Sequence, residues 1–145
     1  MLKIRYPKAT RLWQHALEPL SDYLCLGQKL LVGKKKFAEA WNFGPDDRGN
    51  LTVEMIFFRL KEQWSSVNWQ VIDSPHLHEE KLLQLNSNKA FQILNWKPVW
   101  SFQQGLSATV EWYKANLEQN VVISLEQLRD YEAAASQSGL KWIKK

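Results

Sequence analysis

Few residues in this 145-residue chain carry reactive chemistry, and their spacing excludes more than it offers. The six glycines (Gly27, Gly33, Gly44, Gly49, Gly105 and Gly139) fit neither GxGxxG nor a P-loop, so no phosphate cradle of backbone N–H groups is encoded. An enzyme that relays a proton through a Tyr–Lys pair needs Lys four positions after Tyr. The residues four beyond Tyr6, Tyr23, Tyr113 and Tyr131 are Thr10, Gly27, Leu117 and Ala135. No nucleophile elbow is visible. His76 and His78 are two apart and Glu79 follows, so an extended segment would point both rings one way, as metal ligands require. One cysteine and no second histidine pair leave that set incomplete. Arg5, Lys8, Arg11 and Trp13 form a basic, aromatic opening, but other basic residues are scattered among acids and no nucleic-acid signature is present. Cys25, inside Tyr23-Leu24-Cys25-Leu26, reads as a buried small hydrophobe in a reducing cytoplasm, with no second cysteine to pair.

The elements that must position such groups are short strands alternating with amphipathic helices. Residues 2–6 alternate apolar and basic and read as a strand closed by Pro7. A helix is expected over 18–31, with Pro19 tolerated in its first turn. Leu17, Leu20, Leu24 and Leu31, with Tyr23 and Leu30, give it a broad apolar face, and Gly33 is its stop. Lys34, Lys35 and Lys36 follow as a solvated loop. Residues 37–43 read as a buried strand ending in the turn Asn42-Phe43-Gly44-Pro45-Asp46-Asp47. Thr52 can cap a second helix carrying Val53, Ile56, Phe57, Leu60 and Trp64. A strand is expected over 68–72, a polar connection over 74–81, an extended piece over 82–85 and a short helix over 86–94. Ser101 opens a third helix with capping-box spacing, its face set by Phe102, Leu106, Val110, Tyr113 and Leu117. Ser124 repeats that box for a last helix ending before Gly139.

The composition is that of a folded domain: 45% hydrophobic, 23% charged and net charge +4. It excludes disorder, collagen-like repeats and a disulfide scaffold. Eight Trp exceed what so small a core needs, so part of that surface is open to a partner, a Trp-rich interior being the alternative. No apolar run reaches the roughly 18 residues of a membrane span and no signal peptide is visible, so a cytoplasmic protein is expected.

The segment from Arg5 to Leu20, which includes Ala9-Thr10-Arg11-Leu12-Trp13-Gln14-His15-Ala16-Leu17-Glu18-Pro19-Leu20, resembles the ATRPWQHVLEPL signature of CDP-glucose 4,6-dehydratases, which are extended short-chain dehydrogenases. Further matches keep the same order: Trp41-Asn42-Phe43-Gly44-Pro45-Asp46-Asp47, then Pro75 to Glu79, Lys89-Ala90, and Leu94 with Trp96-Lys97-Pro98. After these come Thr109-Val110-Glu111-Trp112-Tyr113-Lys114 and Leu125-Glu126-Gln127-Leu128 with Tyr131. Leu12 stands where the family has Pro, Ala16 where it has Val, Asn86 and Asn88 where it has Asp and Ser, and Asn95 where it has Gly.

The resemblance covers the C-terminal, sugar-nucleotide portion of that enzyme, whose N-terminal Rossmann domain holds NAD and the catalytic Tyr and Lys. It implies an α/β, α+β-like fragment of short strands and about five helices with no complete Rossmann sheet. Residues 1–132 are expected to form the substrate-binding domain and 133–145 a polar tail. Arg11, with its rigid, always-charged fork, is implied as the contact to the substrate diphosphate, a surface salt bridge being the alternative. Trp13, Gln14 and His15 would wall the site. Asn42 and Gly44 would lie where a strand-end loop nears the nucleotide, and His78 and Glu79 on the diphosphate and ribose side. No catalytic, cofactor or metal residue is expected in this chain, NAD belonging to the full-length family enzyme. The implied partners are CDP-glucose or a related nucleotide sugar, a separate Rossmann half and a second copy of the chain. No nucleic acid or membrane is implied. The other reading is a non-catalytic interaction or oligomerisation module derived from that domain.

Overall fold

A computed structural model describes residues 1–45, 50–72 and 85–143. The chain opens with β1 (Leu2–Ile4), turns where the Ala9 N–H donates to the Tyr6 carbonyl, and continues as β2 (Thr10–Leu12). Helix α1 (Leu17–Leu31) and a 3-10 turn (Lys35–Phe37) follow. Next come β3 (Asn50–Thr52), α2 (Val53–Gln63) and β4 (Trp69–Val71). A wide π turn (Ala90–Leu94), α3 (Phe102–Gln119), α4 (Ser124–Gln137) and a 3-10 turn (Lys141–Ile143) complete the described chain. The arrangement is the expected mixed α/β fragment. Its described strands form two separate pairs and no closed or multi-stranded sheet. The boundary expected at residue 132 falls inside α4.

β1 pairs in parallel with β4 (Leu2 with Trp69, Ile4 with Val71), and β2 pairs antiparallel with β3 (Thr10 with Thr52, Leu12 with Asn50). The loop entering β2 is tied to the start of α2, because the N–H groups of Val53 and Glu54 donate to the carbonyls of Ala9 and Pro7. These are orphan donors of the first turn of α2, satisfied by the neighbouring loop.

The helix ends follow local chemistry. Thr52 Oγ1 accepts from Met55 N at 3.2 Å, and Ser101 and Gln104 make the full reciprocal capping box. Gly33, at φ +75°, ends α1 with paired bonds from Gly33 N to Leu30 O and from Lys34 N to Lys29 O. Asn95 and Asn120, both at φ +56°, take the left-handed positions after the π turn and α3.

Two expectations are corrected, and one helix face lies where no expectation had placed it. Residues 37–43 form no strand. Phe37, Trp41 and Phe43 stack on one another instead, with Trp41 and Phe43 only 4° from parallel, and Lys89 sits 4.4 Å over the Trp41 ring. Their apolar character serves a stacked cluster, for which no β ladder is needed. Ser124 does not cap α4. It is the first helical residue, and its hydroxyl accepts from Trp112 Nε1 at 2.8 Å. Finally, the apolar face of α1 does not face the core. The buried residues of that helix are Glu18, Ser21, Asp22 and Cys25, while Leu20, Leu24 and Leu31 are 52%, 75% and 89% exposed.

The core gathers Cys25, Phe37, Phe43, Ala90, Leu94 and Trp96, flanked by Leu26, Trp41, Phe91 and Trp142. Of the eight Trp only Trp96 is fully buried, and the others lie half-buried.

Candidate functional site

Arg11 is the middle residue of β2, its backbone paired with Leu51 of β3 and its Nη1 donating to the Thr10 carbonyl at 2.7 Å. Two residues on, Trp13 donates from Nε1 to the Leu51 carbonyl at 2.8 Å, which anchors the ring against the same strand. Gln14 and His15 then bridge to α1. His15 Nδ1 accepts from Leu17 N at 3.3 Å, and its ring meets Trp100 edge-on at 4.9 Å. Burial lowers the His15 pKa, which keeps the ring neutral. With Nδ1 accepting, the single proton is on Nε2, leaving that atom a donor. Gln14 Oε1 is buried and accepts no hydrogen bond among the described residues.

Gln14 and His15 border two cavities. One, of 430 Å³, continues along Thr109, Trp112, Tyr113 and Gln127, and the other, of 210 Å³, is walled by Trp13, Ile56 and Gly105. Gly105 makes this approach possible: a Cβ there would stand 3.2 Å from His15 Cβ, tighter than side chains tolerate without a shift. Sequence reasoning missed Gly105, since its reason lies 90 residues away and leaves no local mark.

Asn42 and Gly44 lie apart from this group. Asn42 is exposed, and Gly44 is buried against Leu85 and Ser87, where a Cβ would come within 3.3 Å of Ser87 Oγ. Neither lines either cavity, nor does Arg11. His78 and Glu79, with His76, lie outside the described residues. Among those described, no group of three His, Cys, Asp or Glu could hold a metal ion, and no helix is long and apolar enough to cross a membrane.

The strongest electrostatic feature was invisible in the sequence. Glu18 is almost fully buried and accepts from the backbone N–H groups of Val99 (3.0 Å) and Trp100 (2.8 Å) and from Tyr131 OH (2.8 Å). Tyr131 also lies 3.0 Å from Ser21 Oγ, which accepts from Trp96 Nε1 and donates to the Glu18 carbonyl. One carboxylate thus ties α1 to the segment entering α3 and to α4. Burial raises the Glu18 pKa, and the three hydrogen bonds pull it back. One turn on, Asp22 is fully buried and neither carboxylate oxygen has a hydrogen-bond partner among the described residues. Burial first, and then Glu18, push its pKa up to about 8, so at neutral pH it holds a proton. Locally Glu18 reads only as an acid suited to a helix N-terminus, because its partners are 81 to 113 residues away.

No family model matches the chain. It is 38% identical over 136 residues to CDP-glucose 4,6-dehydratase of Salmonella typhimurium, a match covering 92% of this chain and 38% of that protein. The chain is related to the CDP-glucose 4,6-dehydratases. It is also 26% identical over 107 residues to the dTDP-glucose 4,6-dehydratases of two strains of Xanthomonas campestris pv. campestris, with 67% of this chain and 30% of those proteins covered. The relationship is therefore to an extended short-chain dehydrogenase of the dehydratase type, and the chain spans less than two fifths of the length of the curated relatives it matches.

Among the described residues, no glycine stands where a dinucleotide would need one. Of the described glycines, Gly27 and Gly105 lie inside helices, Gly33 and Gly139 follow helix ends, and Gly44 is packed on Ser87. None stands between a strand end and a helix N-terminus, where a pyrophosphate is held. No chemical step through such a group is assigned to these residues.

Proposed function

We propose that this chain is the nucleotide-sugar-binding, C-terminal portion of a CDP-glucose 4,6-dehydratase-like protein and works with an NAD-binding half carried outside these residues. The observation that carries this reading is the match to CDP-glucose 4,6-dehydratase over 92% of the chain but only 38% of the relative. The chemistry of the 11–15 segment agrees with it. The guanidinium of Arg11, on a strand pinned by its β3 partner, suits a diphosphate. Neutral His15 offers an Nε2 donor and Gln14 a buried acceptor beside the same cavities, a pairing suited to sugar hydroxyls. Trp13 supplies an apolar wall. Asn42, Gly44, His78 and Glu79 would complete the nucleotide side once the partner half is docked.

Titration of the chain with CDP-glucose, read by calorimetry, tests this. Binding is expected, and Arg11→Ala is expected to weaken it roughly tenfold, the worth of one charged contact to phosphate. With CDP-glucose and NAD the chain alone is expected to form no 4-keto-6-deoxy sugar. Product from the chain alone, or the absence of any heat of binding, would overturn the proposal. The exposed apolar face of α1 favours the second reading, a non-catalytic interaction module, which gives association without a response to CDP-glucose.

A further inference from the structure

We propose that a cavity between the end of α1, the 3-10 turn after it and the C-terminal 3-10 turn binds a phosphate monoester carried on a flat apolar ring. The cavity holds 690 Å³, within the usual range of small-molecule sites, and shares no residue with the two cavities beside Gln14 and His15. Lys29, Lys34 and Lys36 border it and no Asp or Glu does. None of these three lysines makes an ion pair among the described residues. The cavity reaches the core, for Cys25, Phe37 and Leu94 are buried core residues that line it. Leu140 and Trp142 add an apolar wall from the C-terminal turn.

Both sides of the cavity are pinned by the backbone. The N–H groups of Val32, Gly33 and Lys34 donate to the carbonyls of Gln28, Leu30 and Lys29, which holds the lysine loop against α1. The same bonds occupy the last carbonyls of that helix, so its negative end opposes an anion less. Opposite, Gly139 N donates to Ser136 O and Leu140 N to Ala135 O, and the Trp142 ring stacks on Tyr131 at 6.3 Å. Asn95 borders the cavity at φ +56°, its side-chain amide in no hydrogen bond among the described residues. Charge selects the ligand. A phosphate monoester carries about two negative charges at neutral pH and neutralises most of three ammonium groups, which one carboxylate does not. The apolar walls favour a ring and contribute nothing to inorganic phosphate. This inference does not depend on nucleotide-sugar binding.

Calorimetric titration of the intact chain with 1-naphthyl phosphate at neutral pH and low salt tests it. Binding is expected, roughly tenfold or more tighter than that of inorganic phosphate or of 1-naphthoate, and weaker as salt is added. The double variant Lys34→Gln, Lys36→Gln is expected to lower the affinity roughly tenfold. Asn95→Gly keeps the left-handed turn, since glycine adopts it without strain, and is expected to lower the affinity roughly threefold by removing the amide. Circular dichroism of both variants should match the parent. Arg11→Ala, which alters the other candidate site, should leave 1-naphthyl phosphate binding unchanged, so failure here is distinct from failure to bind CDP-glucose. No heat with 1-naphthyl phosphate, equal affinity for either half-ligand, indifference to the lysine variant, or a loss with Arg11→Ala as large as with that variant would each overturn the proposal.

Discussion

Helices α1 and α3 are both amphipathic, yet they are mounted in opposite senses. α3 turns Leu106, Ala108, Val110 and Ala115 inward and Gln103, Gln104, Glu111 and Glu118 outward. α1 turns two acids, a serine and a cysteine inward and its leucines outward. Periodicity establishes that a helix has two faces, whereas the groups offered by distant segments decide which face is covered. The inner face of α1 is held because Val99, Trp100 and Tyr131 bring three donors to one carboxylate. Hydrogen bonding of a buried charge is stabilising only while every donor has its acceptor.

The comparison breaks if the two sets of leucines weigh the same. Leu106→Ala is expected to cost about 3 kcal/mol in urea unfolding, the usual range for a buried leucine that leaves a cavity. A loss below about 1 kcal/mol would mean that α3 is no better packed than α1. Asp22 sharpens the contrast from the other side. The unfolded chain releases this proton near pH 4 and the folded chain only near pH 8, so between those values every rise in pH favours unfolding. Asp22→Asn is therefore expected to stabilise the protein by on the order of 2 kcal/mol at pH 8 and hardly at all at pH 4, measured by urea titration at both values. A gain that is the same at both pH values would show that the carboxyl does not titrate in that window. The smallest effect belongs to the outward face. Leu24→Ala in dilute solution is expected to change stability by less than about 0.5 kcal/mol. A loss comparable to that of Leu106→Ala would show that α1 is covered within the monomer.

Much of the frame was legible in local chemistry. Thr52 and Ser101 cap the helices assigned to them, and Gly33 and Asn95 stop theirs, whereas β1 ends at Ile4, short of Pro7. Each of these depends on neighbours within a few residues. What was not legible needed long-range partners. The aromatics of 37–43 lacked a strand to pair with and stacked instead, and the Ser124 hydroxyl was taken by Trp112 from the preceding helix. The candidate site divides the same way. Trp13, Gln14 and His15 are sequence neighbours that the structure keeps together, whereas Asn42 and Gly44 share no cavity with them. Gly105, which lets α3 approach His15, had no local cause to be noticed.

The contact between Glu18 and Tyr131 also bears on the order in which the chain can fold. It spans 113 residues, and β1 must likewise wait for β4. During synthesis the first helix emerges long before the hydroxyl that settles its acid. Topology of this kind slows folding and leaves apolar surface uncovered in the nascent chain. α1 is thus made well before Tyr131, and its acidic inner face is locked only once α4 has followed it.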